Sequence, residues 1–250
     1  MDPVNSLSVD LETNEQRQFN LELRQNYDLI KTEKQVDRLL KIFNHYGVKT
    51  TFFVAAELYE LRPELIERIA DQGHEIGYHT HRHRLLRSAA DLTEELKLSK
   101  KFLRKFQPSG FRAPKMYFKK EYFPILAARG FKYDSSTYDC YSEARVYAGV
   151  KELPVSLTGP AHRLNIPFPR NFRRSLIKGI PWGSGLVLSL IPRLVNLLID
   201  RLNRKGHPAI MFVHPWQLDS QGKGLYGRNA TMAIKRILFG KRFGPLKNLI

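Results

Sequence analysis

The sequence predicts an α/β protein in which a parallel sheet is wrapped by helices. Strand-like and helix-like segments alternate from one end of the chain to the other, the pattern left by strand–helix–strand crossovers. The 250 residues, 42% of them hydrophobic, suffice to bury one large core, so a single domain over residues 1–250 is expected, with a basic C-terminal extension from about residue 220. Residues 7–11 alternate apolar and polar side chains and read as a short strand. Thr32 with Gln35 suggests a capping box, after which Val36, Leu39, Leu40, Phe43 and Tyr46 recur at helical spacing until Gly47. Residues 50–55, β-branched and aromatic, form a second strand; Pro63 then opens a helix carrying Leu65, Ile66, Ile69 and Ala70 that stops near Gly73. A third strand around Ile76 follows. Ser88 is placed to cap one helix bearing Leu92, Leu96, Phe102, Leu103 and Phe106, which Pro108-Ser109-Gly110 breaks. A helix over 121–129 and a strand-like piece over 131–136 come next. Residues 158–185 are rich in Pro and Gly and predict long irregular loops. Residues 186–199 read as a buried strand-like piece and then a helix with Pro192 in its first turn, before a last strand over 209–213.

Composition narrows the setting. Cys140 is the one cysteine, which excludes an intrachain disulfide and a Cys-rich zinc cluster. Residues 1–12 show no basic region followed by an apolar stretch and a cleavage site, so a cytoplasmic chain without a leader is expected. No stretch predicts a membrane span, since 186–199 is interrupted by Pro192, Arg193 and Asn196. Residues 151–250 hold 17 Lys and Arg against Glu152, Asp200 and Asp219, so 14 of the net +17 sit there. That imbalance, with an interleaved apolar run, suits peripheral contact with an anionic membrane or an acidic polymer, or is a solvated basic face. Nucleic acid is not expected, because no helix-turn-helix, zinc-finger or RNA-binding signature accompanies the charge.

Two histidines, His79 and His83, lie four residues apart just past the third strand. On a helical turn that spacing puts both imidazoles on one side, as a transition metal requires. Collecting the polar residues at the carboxyl ends of the strands adds Asp10 and Glu12, Arg112, Asp134 and His214. Each has an ordinary explanation alone, as a turn residue, surface charge, cap or satisfied histidine. Their convergence at strand ends, where α/β proteins build active sites, argues for a shared site.

The order of these motifs resembles the polysaccharide deacetylases with a NodB homology domain, carbohydrate esterase family 4. The matching runs are Ser8-Val9-Asp10-Leu11-Glu12, His79-Thr80-His81-Arg82-His83, Arg112-Ala113-Pro114-Lys115, Asp134-Ser135-Ser136 and Val213-His214-Pro215-Trp216. Thr50-Thr51-Phe52-Phe53-Val54 and Gly73-His74-Glu75-Ile76-Gly77 are also of the family type. The resemblance runs from Leu7 to Asp219 and implies a deformed (β/α) barrel. It further implies a metal-dependent hydrolase of non-peptide C–N bonds that removes N-acetyl groups from an amino-sugar polysaccharide or a glycolipid-linked sugar. His79 and His83 would bind a divalent metal, zinc with cobalt or nickel as substitutes. Asp10 would be the general base for the attacking water, held ionised and in place by Arg112. The backbone N–H near Lys115 would help stabilise the oxyanion, and His214, paired with Asp134, would protonate the leaving amine.

One position departs from the family pattern. The second Asp of the first motif, a metal ligand, is Leu11 here, and Glu12 is the substitute on the same side of an extended strand as Asp10. If Glu12 does not close the metal shell, a metal-independent amidohydrolase like the allantoinase branch is the alternative. A catalytically inactive carbohydrate- or membrane-binding module is another. Tyr78, Tyr117, Tyr138, Trp182 and Trp216 are candidate platforms for a sugar. Trp182 is favoured because Gly183 and Gly185 beside it let a ligand or backbone approach closely, so Lys115, Trp182 and Trp216 form the substrate-binding set. His81 points away from a helical His79/His83 face and is left out of the metal shell.

Overall fold

Side-chain parity along the strands organises the molecule. Strand β1 (Ser6–Leu11) sends Leu7, Val9 and Leu11 into the apolar layer between sheet and helices, while Ser6, Ser8 and Asp10 take the opposite face. In β2 (Thr51–Val54) and β3 (Glu75–Tyr78), Phe52, Val54, Ile76 and Tyr78 join the same outer layer. Phe53 belongs instead to a second cluster with Tyr133, Tyr138, Val155, Ile210 and Phe212, which fills the concave side. Gly77 faces it, and a Cβ there would stand 2.6 Å from the Phe53 ring, so hydrogen alone fits. The computed structural model describes residues 3–16, 27–160, 164, 166–218 and 227–250. Asp219 and residues 220–226, the start of the expected basic extension, lie outside them.

The remaining strands are β4 (Gly110–Phe111), β5 (Tyr133–Asp134), β6 (Tyr138–Asp139), β7 (Val146–Tyr147), β8 (Val150–Glu152), β9 (Val155–Ser156) and β10 (Ile210–Val213). The main sheet runs β10-β1-β2-β3-β4-β5-β8-β7, parallel except where β7 turns back on β8, and β6 pairs with β9 beside it. Backbone hydrogen bonds curl these pieces into a barrel. Leu153 N–H donates to Asp134 O and Val155 N–H to Thr137 O, so β8–β9 follows β5–β6. Gly183 bridges the remaining gap, donating to Ser156 O and accepting from Phe212 N–H. A Cβ on Gly183 would lie 2.5 Å from Ile210 O, which is why glycine is needed. The alternating segments thus form the deformed (β/α) barrel the motifs implied.

The helices are α1 (Leu29–His45), α2 (Glu57–Leu61), α3 (Pro63–Asp71), α4 (Ala89–Leu98), α5 (Lys100–Phe106), α6 (Phe123–Ala128), α7 (Phe172–Ser175), α8 (Gly185–Leu190), α9 (Pro192–Asn203) and α10 (Gly227–Leu238). Three differ from expectation. Helix α1 starts a turn early because Asp28 caps it, accepting from Lys31 N–H, and Thr32 donates its hydroxyl to Asp28 O rather than forming a box with Gln35. The Ser88 cap forms as expected, with Asp91 closing the box, but the helix breaks at Ser99 into α4 and α5. Residues 185–190, expected as strand-like, are helical because Ser184 accepts from Val187 N–H. No helix among the described residues is long and apolar enough to cross a membrane.

Candidate active site

Every sheet strand that carries a motif delivers it at its carboxyl end. Val9 lies between Val213 and Phe52 in register, so Asp10, Glu12 and His214 leave neighbouring strands on the same rim. Tyr78 pairs with Phe111 and Phe111 with Asp134, which brings His79, Arg112 and Asp134 to that rim as well. The cleft there has a volume of 850 Å3. Asp10, Glu12, His79, His83, Lys115, His214 and Trp216 line it, joined by Tyr117, Tyr138 and the α7 residues Phe172 and Arg173.

Arg112 is fully buried yet every face of its guanidinium is engaged. Its Nη1 donates to Asp10 Oδ1 at 2.7 Å and to Ser8 Oγ at 2.7 Å, while Nε and Nη2 donate to Ser135 O and Ser135 Oγ, each at 2.8 Å. The Phe53 and Phe212 rings lie 4.3 and 5.1 Å from its central carbon, so flat sides meet π faces. The side chain therefore fixes the Asp10 carboxylate in both position and charge environment. Ser8, Ser135 and the two phenylalanines were not singled out from sequence, because a buried serine carries no pattern of its own.

His79 and His83 approach to a ring separation of 4.8 Å, although not on a helical turn. The segment is an irregular loop in which Thr80 and His83 take left-handed backbone angles, φ 62° and 53°. Nδ1 of His79 donates to Arg112 O at 2.6 Å, and Nδ1 of His83 to Gln16 O at 2.8 Å. A carbonyl only accepts, so each neutral ring carries its proton on Nδ1 and turns an Nε2 lone pair inward. Glu12 Oε2 meets those nitrogens at 2.8 Å from His83 and 3.4 Å from His79. Burial pushes the Glu12 carboxyl up, but when the rings take a second proton the charges of His83 and His214 and hydrogen bonds from His79 and His83 hold it well below the usual carboxylate range. One carboxylate and two imidazoles, all buried and within 4.8 Å of one another, form a donor set suited to zinc or a similar divalent ion. Leu11 is wholly buried in the outer layer and takes no part.

His214 turns Nε2 toward the same point, 3.9 Å from Asp10 Oδ2 and 3.7 Å from Glu12 Oε1. Burial pushes its pKa down against the pull of Glu12 and Asp10, which makes its protonated form a stronger acid than free imidazole. The expected pairing with Asp134 does not occur. Asp134 is fully buried and accepts from Ser136 N–H and Ser136 Oγ, and Ser136 Oγ in turn accepts from Ala113 N–H. Asp134 therefore braces the loop after β4, while His214 Nδ1 has no hydrogen-bond partner among the described residues.

Lys115 sits on the cleft rim with left-handed backbone, φ 53°, at the kink after Pro114. Trp216 stacks on His214 at 4.5 Å, and its Nε1 donates to Glu12 Oε1 at 3.4 Å. Trp182 corrects an expectation: it is 1% exposed, packs in the outer core and does not line this cleft, and the close approach that Gly183 allows is to backbone rather than ligand. His81 lies outside the cluster, hydrogen-bonded to Ser99.

The family model for polysaccharide deacetylase matches residues 21–133, a span that includes His79, His83, Arg112 and Lys115. A peptidoglycan deacetylase of Helicobacter pylori is 34% identical over 109 residues, 42% of this chain and 37% of that protein. The match thus spans little more than a third of that relative's length. Among solved structures, a protein classed as a polysaccharide deacetylase from Mycobacterium smegmatis superposes with TM-score 0.68 at 19% identity, covering 98% of this chain and 88% of its own. An allantoinase superposes with TM-score 0.60 at 18% identity over 94% of this chain and 82% of its own, so at this depth the fold is shared by more than one chemistry. The family match, the related sequence and the barrel agree with the ordered motifs: over residues 21–133 the chain is similar to the polysaccharide deacetylases, and it shares their fold.

Proposed function

We propose that this protein is a metal-dependent N-deacetylase that releases acetate from an N-acetylated amino sugar in a polysaccharide or a lipid-linked glycan. The observation that carries the reading is Glu12, whose carboxylate closes on His79 and His83 where Leu11 cannot serve. Glu12, His79 and His83 would hold the ion, zinc before cobalt or nickel, and bound there it supplies Lewis acidity toward a water and an acetamide carbonyl. Asp10, aimed by Arg112, accepts the proton of the attacking water. His214 faces the same point from the neighbouring strand and, in its protonated form, gives a proton to the departing amine. The backbone N–H of Lys115, in the kinked loop on the cleft rim, would support negative charge on the carbonyl oxygen. Peptidoglycan fragments head the substrate list, given the activity named for the Helicobacter relative.

The test is acetate release from peptidoglycan fragments, chitooligosaccharides and lipid-linked N-acetyl sugars, with chelated and zinc-reconstituted protein. Zinc should restore turnover, and Asp10→Asn should abolish it while zinc still binds. Turnover indifferent to chelation would overturn the metal-dependent reading, and full activity in the Asp10 variant would remove that residue from the base role.

A further inference from the structure

We propose that the face built by α9 and α10 docks this protein on an anionic lipid bilayer, a property independent of the deacetylase reading. Helix α9 buries Val195 and Ile199, four residues apart, and that stripe suffices to seat it; Leu197 is nonetheless 63% exposed and Leu194 is exposed beside it. Helix α10 turns Ala230, Ala233, Ile234 and Ile237 inward but leaves Met232 64% exposed, and Phe239 just past its end is 74% exposed. These side chains form one tract. Ile191, Leu194, Met232 and Phe239 line a hollow of 1150 Å3, and Leu194 also lines the adjoining hollow of 590 Å3 with Ile180 and Leu198. A contiguous apolar surface of this kind marks an interaction site.

Charge selects the partner. Arg193, Lys235 and Arg236 border the first hollow, and Arg201 and Lys205 the second. The one acidic residue of the two helices, Asp200, is held by Lys241 at 2.7 Å. A second copy of this chain would bring two cationic faces together, and nucleic acid would offer nothing to the exposed leucines, methionine and phenylalanine. An anionic bilayer meets both demands: headgroups take the arginines and lysines, and the interface accepts the apolar side chains.

Flotation with phosphatidylcholine vesicles, with and without phosphatidylglycerol, at low and high salt tests this. Binding should require the anionic lipid and weaken with salt. Lys235→Gln with Arg236→Gln should lower partitioning by about thirtyfold, since each basic residue near the surface contributes roughly 1 kcal/mol. Met232→Ser with Phe239→Ser should also lower it, while leaving the melting temperature and the hydrolysis of a soluble substrate unchanged. Three results overturn the proposal: failure to bind either vesicle, binding unaffected by the Met232/Phe239 variant, or a dimer in sedimentation velocity that the same variant abolishes.

Discussion

Replacing Arg112 by Met tests the electrostatic support of the cleft without reference to any ligand. The guanidinium lies 2.7 Å from Asp10 Oδ1, and at an effective dielectric of about 20 that contact is worth on the order of 6 kcal/mol, offset by the desolvation of both charges. Removing one member of a buried pair while stranding the other typically costs about 3–5 kcal/mol, and here Ser8 and Ser135 lose donors as well. For a chain of this length that corresponds to a melting temperature lower by roughly 10 °C. The assay is urea unfolding of Arg112→Met, Asp10→Asn and the double variant as a thermodynamic cycle. If the stranded Asp10 charge dominates the loss, the double variant should be at least about 1 kcal/mol more stable than Arg112→Met alone. A single variant within about 1 kcal/mol of wild type, or a double variant no better than the single, would refute the argument. Arg112→Lys should not rescue, because an ammonium cannot span Ser8, Asp10 and Ser135 together.

Two further outcomes are expected. Glu12→Gln should weaken zinc binding in calorimetric titration by more than the roughly 10–100-fold that a supporting hydrogen bond is worth, and undiminished affinity would remove Glu12 from the ligand set. Burial pushes the Asp134 carboxyl up from 3.8 to about 8, so between those values the folded chain keeps a proton that the unfolded chain releases. The stability that Asp134 contributes is then full below its unfolded pKa and lost as pH rises toward 8, whereas an Asn does not titrate. Asp134→Asn should therefore gain on wild type in urea midpoints between pH 5 and pH 8; a gap that stays constant would mean Asp134 is ionised throughout.

What could be read from the sequence depended on the range of the cause. Strand alternation, Pro63, Ser88 and Pro192 act within a few residues, and the elements they specify are where expected. The start of α1 was displaced because a better capper, Asp28, lies one turn upstream of Thr32. The rim residues were visible because strand ends are visible, and parallel pairing gathers strand ends whatever the loops do. Side-chain partnerships were less legible. Asp134 and His214 both reach the rim, yet a carboxylate two residues before a serine is captured locally by Ser136 before it can reach across the barrel. Trp182 looked available because glycine flanks it, but the glycine serves the Ser156–Gly183–Phe212 bridge that completes the ring.

The same distinction explains the shift of the acid from position 11 to position 12. Strand β1 persists through Leu11, which pairs with Val54 and points into the layer beneath the helices. A carboxylate at 11 would be buried there, unpaired and on the wrong side of the sheet from His79. Position 12 restores the parity of Asp10, and the extra methylene of Glu extends its reach as the chain leaves the sheet. That longer side chain has another torsion to fix, and Trp216 supplies the restraint: its indole N–H holds Oε1 and leaves Oε2 for the imidazoles. Because the same indole stacks on His214, one side chain orients both the Glu12 carboxylate and the His214 imidazole. Trp216, expected as a sugar platform, is thereby tied to the charge geometry of the cleft, and its position should respond to whatever Glu12 binds.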